Sequence, residues 1–481
     1  MARTLRSEID LPTLRISVDL ATSEAVFAAV RGRRRPTEVA RCPLADLGLP
    51  ASAVEHVRDA DLTVPVAVVT RLATAAEGLG TSPLPPHNAL WLEFPVPRGL
   101  VHVLPWERLL AGLSRPLFRL PFHPVRPQKP GVQLDVAICS SSPFPAVRFD
   151  PAEVVAQLAH QYVDTPGRHV TVHLFTDADR YAATCDAVRP MLGRGDVVVH
   201  VPADRDAAAR RTVARPADPH AIANPWLTWM LDAVEGGRLD VVHFVAHGHL
   251  SDGRGALVLA GSPTTDEGPA TFVEAVEVIE LLTRVGAVGL ALSDPPGSDS
   301  AAGLRDLADY VAQSRPGVTA VHDVAADPGG VQLGRSLRTA LTPSGPLAAP
   351  FPAMSAWVHP LFVEVTPDPE PAGEPLTTDL RTLTDGLMLR KDGRSAFLHE
   401  ATRKAAVEVD GDSWVASASR SIEQLQMSWL PYTADLPVDQ AAVDALNSVS
   451  ALLERHVHLA YPEEAAAPPP AEPAPPEGGA P

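Results

Sequence analysis

The stretch LDVVHFVAHGHL, residues 239–250, carries the strongest indication of the fold. Residues 241–245 form a short, continuous apolar run around one histidine, a pattern typical of a strand buried on both faces of a parallel sheet. The run ends in Ala246-His247-Gly248. Open α/β sheets keep their ligand crevice at the carboxyl ends of their strands. His247 is therefore a candidate functional residue.

An imidazole at that position can take or give a proton near neutral pH. Gly248 allows the backbone to turn sharply beside it. The competing interpretation is that His243 and His247 are hydrogen-bonded histidines of the core or of a turn. A His-Gly pattern by itself does not separate the two.

Composition restricts the class of protein. The chain has 481 residues, 45% of them hydrophobic, and is long enough for two to three domains. No apolar run reaches the ~18–20 residues of a membrane span, and residues 1–18 lack the apolar core of a signal peptide. Cys42, Cys139 and Cys185 have neither disulfide nor zinc spacing, which favours a reducing cytoplasm. The formal charge of −18 disfavours nucleic acid and anionic membranes as partners.

Strand and helix patterns alternate from residue 132 to residue 324. Apolar strands are predicted at 132–139, 169–175, 196–202, 241–245, 256–261, 287–293 and 317–324, with a last strand at 355–365. Helix patterns lie between them, including TFVEAVEVIELLTRV at 271–285. This alternation predicts an α/β fold with a doubly wound, mostly parallel sheet flanked by helices.

Domain boundaries follow from composition. Residues 1–90 form an N-terminal α/β module or the outer part of the same domain as residues 91–365. The segment 366–375 is a proline-rich linker. In 376–461 apolar residues recur at helical spacing, which predicts a small helical region that packs on the sheet domain or on a partner. The Pro/Ala/Glu tail, 462–481, has the composition of a disordered segment.

Several segments together resemble bacterial CHAT domains, which belong to the caspase-like, separase-related clan of cysteine peptidases. They are HVLPWERLL (102–110), LDVAICSSSPF (134–144), VVHFVAHGHLSDGRGALVLAG (241–261), GVTAVHDVAADP (317–328) and SAWVHPLFVEV (355–365). The resemblance covers residues 91–365 in the same order and implies a caspase-like sheet. It also implies that His247 matches the catalytic base.

The family's nucleophile is a cysteine just after the next core strand. In this chain the corresponding turn is ALSDPPG, residues 291–297, and it contains no cysteine. Ser293, Asp294 or Pro295 takes that place. An aspartyl or prolyl side chain cannot form an acyl-thiol intermediate, and a serine needs a well-placed base.

The first functional hypothesis is a catalytically degenerate caspase-like (CHAT) protein. It would act as a protein-binding or scaffold component of a bacterial conflict or signalling system, as the resemblance implies. Its crevice would be walled by Cys139, Gly248 and Asp294 and could hold a peptide by strand addition. The helical region would offer a further surface for a protein partner.

The alternative is an active peptidase or hydrolase in which Ser293 or Cys139 replaces the missing nucleophile and His247 is the base. A nucleotide or small-molecule binder is a third class. The glycine loops DGRGAL and DPGGVQLG contain neither a dinucleotide fingerprint nor a P-loop lysine. His243, His247 and His249 lack a paired carboxylate, so neither a metal nor a cofactor is expected.

Overall fold

The computed structural model describes residues 10–360, except 20–21, 33, 50–56, 85, 96–100, 122–132, 142, 144–149, 166–167, 204–221, 235–236, 252–253, 266–268, 299 and 342–350. The predicted linker (366–375), helical region (376–461) and tail (462–481) lie outside the described residues. Within the described part of the chain, none of the helices combines the length and apolarity that crossing a bilayer requires.

The first part of the chain contributes five strands and two helices. They are β1 Pro12–Asp19, β2 Glu24–Arg31, β3 Thr37–Pro43, α1 Val66–Gly78, β4 Leu90–Glu93, α2 Trp106–Leu109 and β5 Leu117–Arg119. β1, β2 and β3 pair antiparallel, whereas β4 lies parallel to both β1 and β5.

The second part alternates strands and helices. Its elements are β6 Gln133–Ser140, α3 Pro151–Val163, β7 His169–Thr176, α4 Ala178–Ala187, α5 Arg189–Leu192, β8 Val197–Val199, α6 Pro225–Ala233, β9 Val241–Val245, β10 His247–Ser251, β11 Arg254–Leu259, β12 Thr271–Glu274, α7 Ala275–Arg284, β13 Gly289–Asp294, α8 Ala302–Ser314, β14 Val318–Asp323, α9 Val331–Leu341 and β15 Met354–Val358. Asp150 caps α3 through its side chain, with Pro151 in the first turn, a pair of residues typical of a helix start.

Two sheets result. The large one has twelve strands in the order β3-β2-β1-β4-β5-β15-β14-β13-β9-β6-β7-β8, and every pair from β14 to β8 is parallel. β15 is antiparallel to β14 and joins the N-terminal strands through β5. The small sheet, β10-β11-β12, is antiparallel. The chain is thus an α/β protein in which the N-terminal strands extend the central sheet.

Helices cover both faces of the parallel part, so its strands are apolar on both sides. One face packs against α3 and α9 through side chains such as Leu158 and Leu337. The other packs against α6, α7 and α8 through side chains such as Trp226, Leu281 and Leu307. We call them the α3 face and the α8 face.

The chain reverses direction across the sheet between β6 and β9. From β6 it proceeds outward to β7 and β8, and from β9 it proceeds the other way to β13 and β14. Connections therefore diverge at the carboxyl ends of β6 and β9, which leaves room for a crevice there.

The predicted helix at 271–285 is wrong for its first four residues. Thr271–Glu274 form β12, which pairs with β11, and the helix begins only at Ala275. Hydrogen bonding to β11 decides the conformation of this segment, which a local helical pattern cannot reveal.

Candidate functional site

His247 lies at the switch in strand order. β9 ends at Val245, and His247 opens β10, the first strand of the small sheet. The backbone thus leaves the large sheet immediately before this residue. Its side chain is 6% exposed.

Close packing holds the start of β10 against α8. A Cβ on Gly248 would come within 2.7 Å of both the backbone nitrogen and Cγ of Leu304. A Cβ on Gly303 would come within 2.5 Å of the backbone of His249. Gly248, which the sequence predicts as a turn residue of the crevice wall, thus lies within a strand. Because glycine has no side chain, β10 and α8 can approach each other this closely.

His247 faces the carboxyl group that ends β13. Its Nδ1 lies 3.9 Å from Oδ1 of Asp294, and both side chains are buried. Burial lowers the pKa of His247 and raises the pKa of Asp294 well above its usual value. Burial thus favours the uncharged form of both groups.

The loop that follows Asp294 is held by the N-terminal part of the chain. Asp59 accepts hydrogen bonds from Ser300 Oγ at 3.0 Å and from both terminal nitrogens of Arg305 at 2.7 and 2.8 Å. The Arg305 charge opposes the effect of burial on the pKa of Asp294. Asp59, which lies far away in sequence, therefore helps to fix the loop beside the site.

Ser293 points to the other face of the sheet. It follows Ala291 on the α3 face, whereas Asp294 continues the alternation of Leu290 and Leu292 on the α8 face. Its hydroxyl lies 2.7 Å from His243 Nε2 and 2.9 Å from His322 Nδ1. These bonds join three adjacent strands, β9, β13 and β14.

Two further groups extend this cluster. The Tyr162 hydroxyl lies 3.3 Å from His243 Nδ1, and Asp327 Oδ2 lies 3.4 Å from His322 Nε2. Asp327 also accepts the backbone N–H groups of residues 331, 332 and 333, which begin α9. The five side chains, Tyr162, His243, Ser293, His322 and Asp327, form what we call the serine cluster.

One arrangement of protons satisfies the three hydrogen bonds that join Tyr162, His243, Ser293 and His322, whereas His322 Nε2 meets Asp327 only in a longer contact of 3.4 Å. The Asp327 carboxylate favours a proton on His322 Nε2, so His322 Nδ1 accepts the proton of the Ser293 hydroxyl. Ser293 Oγ then accepts from His243 Nε2, and His243 Nδ1 accepts from the hydroxyl of Tyr162. Each hydrogen bond thus points the same way, from α3 towards α9.

Burial determines the ionisation of the cluster. It lowers the pKa of His243 to about 3, with a smaller contribution from His322, and it raises the pKa of Tyr162. Burial also opposes the ionisation of Asp327, but His322 and the N–H groups of α9 outweigh it and lower the pKa of that carboxyl. His243 and Tyr162 are therefore neutral across the physiological range.

Cys139, the other predicted nucleophile, is fully buried on the α8 face. Burial raises its pKa, with a smaller contribution from the Asp177 charge. A thiol that is neither exposed nor ionised is a poor nucleophile.

The structure therefore divides the predicted site residues. It brings His247 and Asp294 together, and it places Ser293 in a cluster with two other histidines. The sequence reasoning considered His243 only as a core histidine or weak metal ligand and did not single out Tyr162, His322 or Asp327. Their spacing along the chain gives no signal, because strand neighbours bring them together. Within the described residues, no three His, Cys, Asp or Glu side chains are grouped closely enough to hold a metal ion.

Comparison with known proteins adds no identification. No protein-family model matches the chain, and a search of curated proteins finds no match. The resemblance to CHAT domains thus depends on the sequence segments alone.

Proposed function

We propose that the protein is a catalytically degenerate caspase-like (CHAT) protein that binds a protein partner, as part of a bacterial conflict or signalling system. The mostly parallel sheet with helices on both faces is compatible with such a fold. The observation that carries the proposal is the contact of 3.9 Å between His247 and Asp294. A carboxyl group faces the histidine where the resemblance places a thiol, so the base has no thiol to activate.

The other potential nucleophiles support the same conclusion. Cys139 is enclosed, and the Ser293 hydroxyl is wholly buried between two imidazoles. Neither can reach a peptide bond in this conformation. The retained crevice would then serve binding, with the helical region (376–461) as a further contact surface.

Active-site probes test the loss of activity. The intact protein is exposed to a peptide chloromethyl ketone and to a fluorophosphonate, and modified residues are identified by mass spectrometry. We expect no labelling of Cys139 or Ser293. Labelling of either residue that disappears in His247→Ala would contradict the proposal.

Asp294→Cys tests whether Asp294 occupies the nucleophile position. A thiol placed beside His247 should react with the chloromethyl ketone. The matched control is Asp294→Cys combined with His247→Ala, in which we expect reaction about a hundredfold slower, the lower end of the usual contribution of a general base. Equal rates in the two variants would mean that His247 does not activate this position.

A second candidate function is that of a serine hydrolase. One observation on the serine cluster favours it. Ser293, His322 and Asp327 form a hydroxyl–imidazole–carboxylate series with separations of 2.9 and 3.4 Å. It would use His322 as its base. Fluorophosphonate labelling of Ser293 that survives His247→Ala but is lost in His322→Ala would favour it.

A further inference from the structure

The small sheet links the buried histidine to an exposed aromatic surface. In the register of this sheet, His247 lies opposite Val258, and Val258 lies opposite Phe272. Directly opposed residues of antiparallel strands point to the same face. The three side chains therefore form one row across β10, β11 and β12, and this row leads outward from His247.

Exposure increases sharply along the row. Val258 is 2% exposed, whereas Phe272 is 54% exposed. The exposed ring of His249 lies beside it, with 4.9 Å between the ring centroids. Together the two rings form an exposed aromatic platform on this face of the small sheet.

β12 also has a free edge. It is the last strand of the small sheet, and no strand among the described residues pairs with its outer side. Thr271 Oγ1 is held by the Asn224 side chain at 3.1 Å, which fixes the start of the strand. Unpaired N–H and C=O groups on such an edge are a template for an added strand.

The charge next to the platform is negative. Glu274 is exposed, lies two residues after Phe272 and shares its face through its pairing with Ala256. Arg254, on the same face of β11, lies further along, at the end of the β10–β11 hairpin where the two strands connect. Side chains on one face of an added strand recur every two residues. A matching strand would therefore present an aromatic residue to Phe272 and a basic residue to Glu274, two positions apart.

We infer that the partner of this protein enters as an extended peptide segment that adds antiparallel to the free edge of β12, as the other strands of this sheet pair. Since an antiparallel strand runs in reverse, its basic residue comes two positions before its aromatic residue, which gives a basic-x-aromatic pattern. The aromatic side chain packs on Phe272, whose other side is supported by His249, and the basic side chain pairs with Glu274. The inference rests on the proposed function, because it specifies what the retained crevice binds.

Fluorescence anisotropy with the full chain tests it. The probe is a fluorescein-labelled heptapeptide with a Lys-Val-Phe core, compared with the same peptide carrying Glu-Val-Phe and with one N-methylated on alternate backbone nitrogens. We expect Phe272→Ala to weaken binding about tenfold, as for an aromatic anchor at an interface. Glu274→Gln should weaken it roughly threefold, as for an exposed ion pair. Both altered peptides should bind less tightly.

Val331→Ala is the matched control, since Val331 is equally exposed, at 51%, but lies at the start of α9. The Val331→Ala variant should bind the probe peptide with the same affinity as the unaltered chain. Binding that is unchanged in Phe272→Ala, or absent altogether, would overturn the inference. So would self-association that depends on Phe272, because the occupant would then be a second copy. Probe labelling or peptide turnover would instead overturn the proposed function, so the two failures are distinguishable.

Discussion

The two faces of the sheet at the end of β13 use buried polar groups in opposite ways. On the α3 face, the Ser293 hydroxyl has a hydrogen-bond partner on each neighbouring strand. On the α8 face, one residue later, Asp294 Oδ1 has no hydrogen-bond partner among the residues that the structure describes and lies 3.9 Å from His247. Satisfied networks stabilise folds, whereas incompletely satisfied buried groups are typical of functional sites. The contrast between the Ser293 hydroxyl and Asp294 Oδ1 indicates that Ser293 has a structural role and that the His247–Asp294 pair belongs to the site.

The largest expected effect is on the α3 face. Ser293→Ala leaves the N–H of His243 and the acceptor nitrogen of His322 buried without their shared partner. The free energy of unfolding should fall by about 2–4 kcal/mol, the usual cost of two such groups. Urea unfolding, monitored by circular dichroism, measures this change in the free energy of unfolding. A loss below about 0.5 kcal/mol, the scale of an ordinary surface change, would mean that the cluster does not stabilise the protein.

Gly248→Ala tests the packing on the α8 face. The added Cβ would meet the Leu304 backbone at 2.7 Å, so β10 or α8 must move. We expect a destabilisation of about 1–3 kcal/mol, typical of overpacking.

Gly78→Ala serves as its control, because no atom lies within 4 Å of a Cβ built on Gly78 at the end of α1. That substitution should be neutral or stabilising. Similar thermal midpoints for the two variants would contradict the role assigned to Gly248.

His243 should make stability depend on pH. Its folded pKa of about 3 lies below the value of about 6.5 in unfolded chains, so between these values the unfolded state binds more protons. The contribution of His243 to the free energy of unfolding has its full value above pH 6.5 and decreases as the pH falls towards 3. From pH 7.5 to 5.5 the loss is about 1.4 kcal/mol.

Urea unfolding of the unaltered chain and of His243→Gln at both pH values isolates this contribution. The glutamine variant should lose about 1.4 kcal/mol less than the unaltered chain over this interval. The same pH dependence in both proteins would show that another group is responsible.

The smallest effect is expected for Asp294→Asn. Burial raises the pKa of the Asp294 carboxyl and so favours its uncharged form, and an amide has nearly the same shape and no charge. The free energy of unfolding at pH 7 should change by less than about 0.5 kcal/mol. A loss as large as that of Ser293→Ala would mean that Asp294 is ionised and structurally required, which would remove the contrast between the two faces.

Much of the fold could be predicted from local sequence. Buried strands can be recognised as apolar runs. Asp150-Pro151 indicates a helix start because the capping interaction lies within three residues. β12 could not be predicted, because its conformation comes from pairing with β11. The joining of β5 to β15 could not be predicted either, since it connects residues more than 200 positions apart.

The sequence by itself determined that apolar strands alternate with helices, that His247 follows a buried strand, and that no cysteine follows the next core strand. These properties depend on residue identity and short spacing. Only the tertiary structure decided that Ser293 contacts His243 and His322 while Asp294 faces His247. Adjacent residues of a strand point to opposite faces, and what each one meets is set by the register of neighbouring strands, which distant parts of the chain provide.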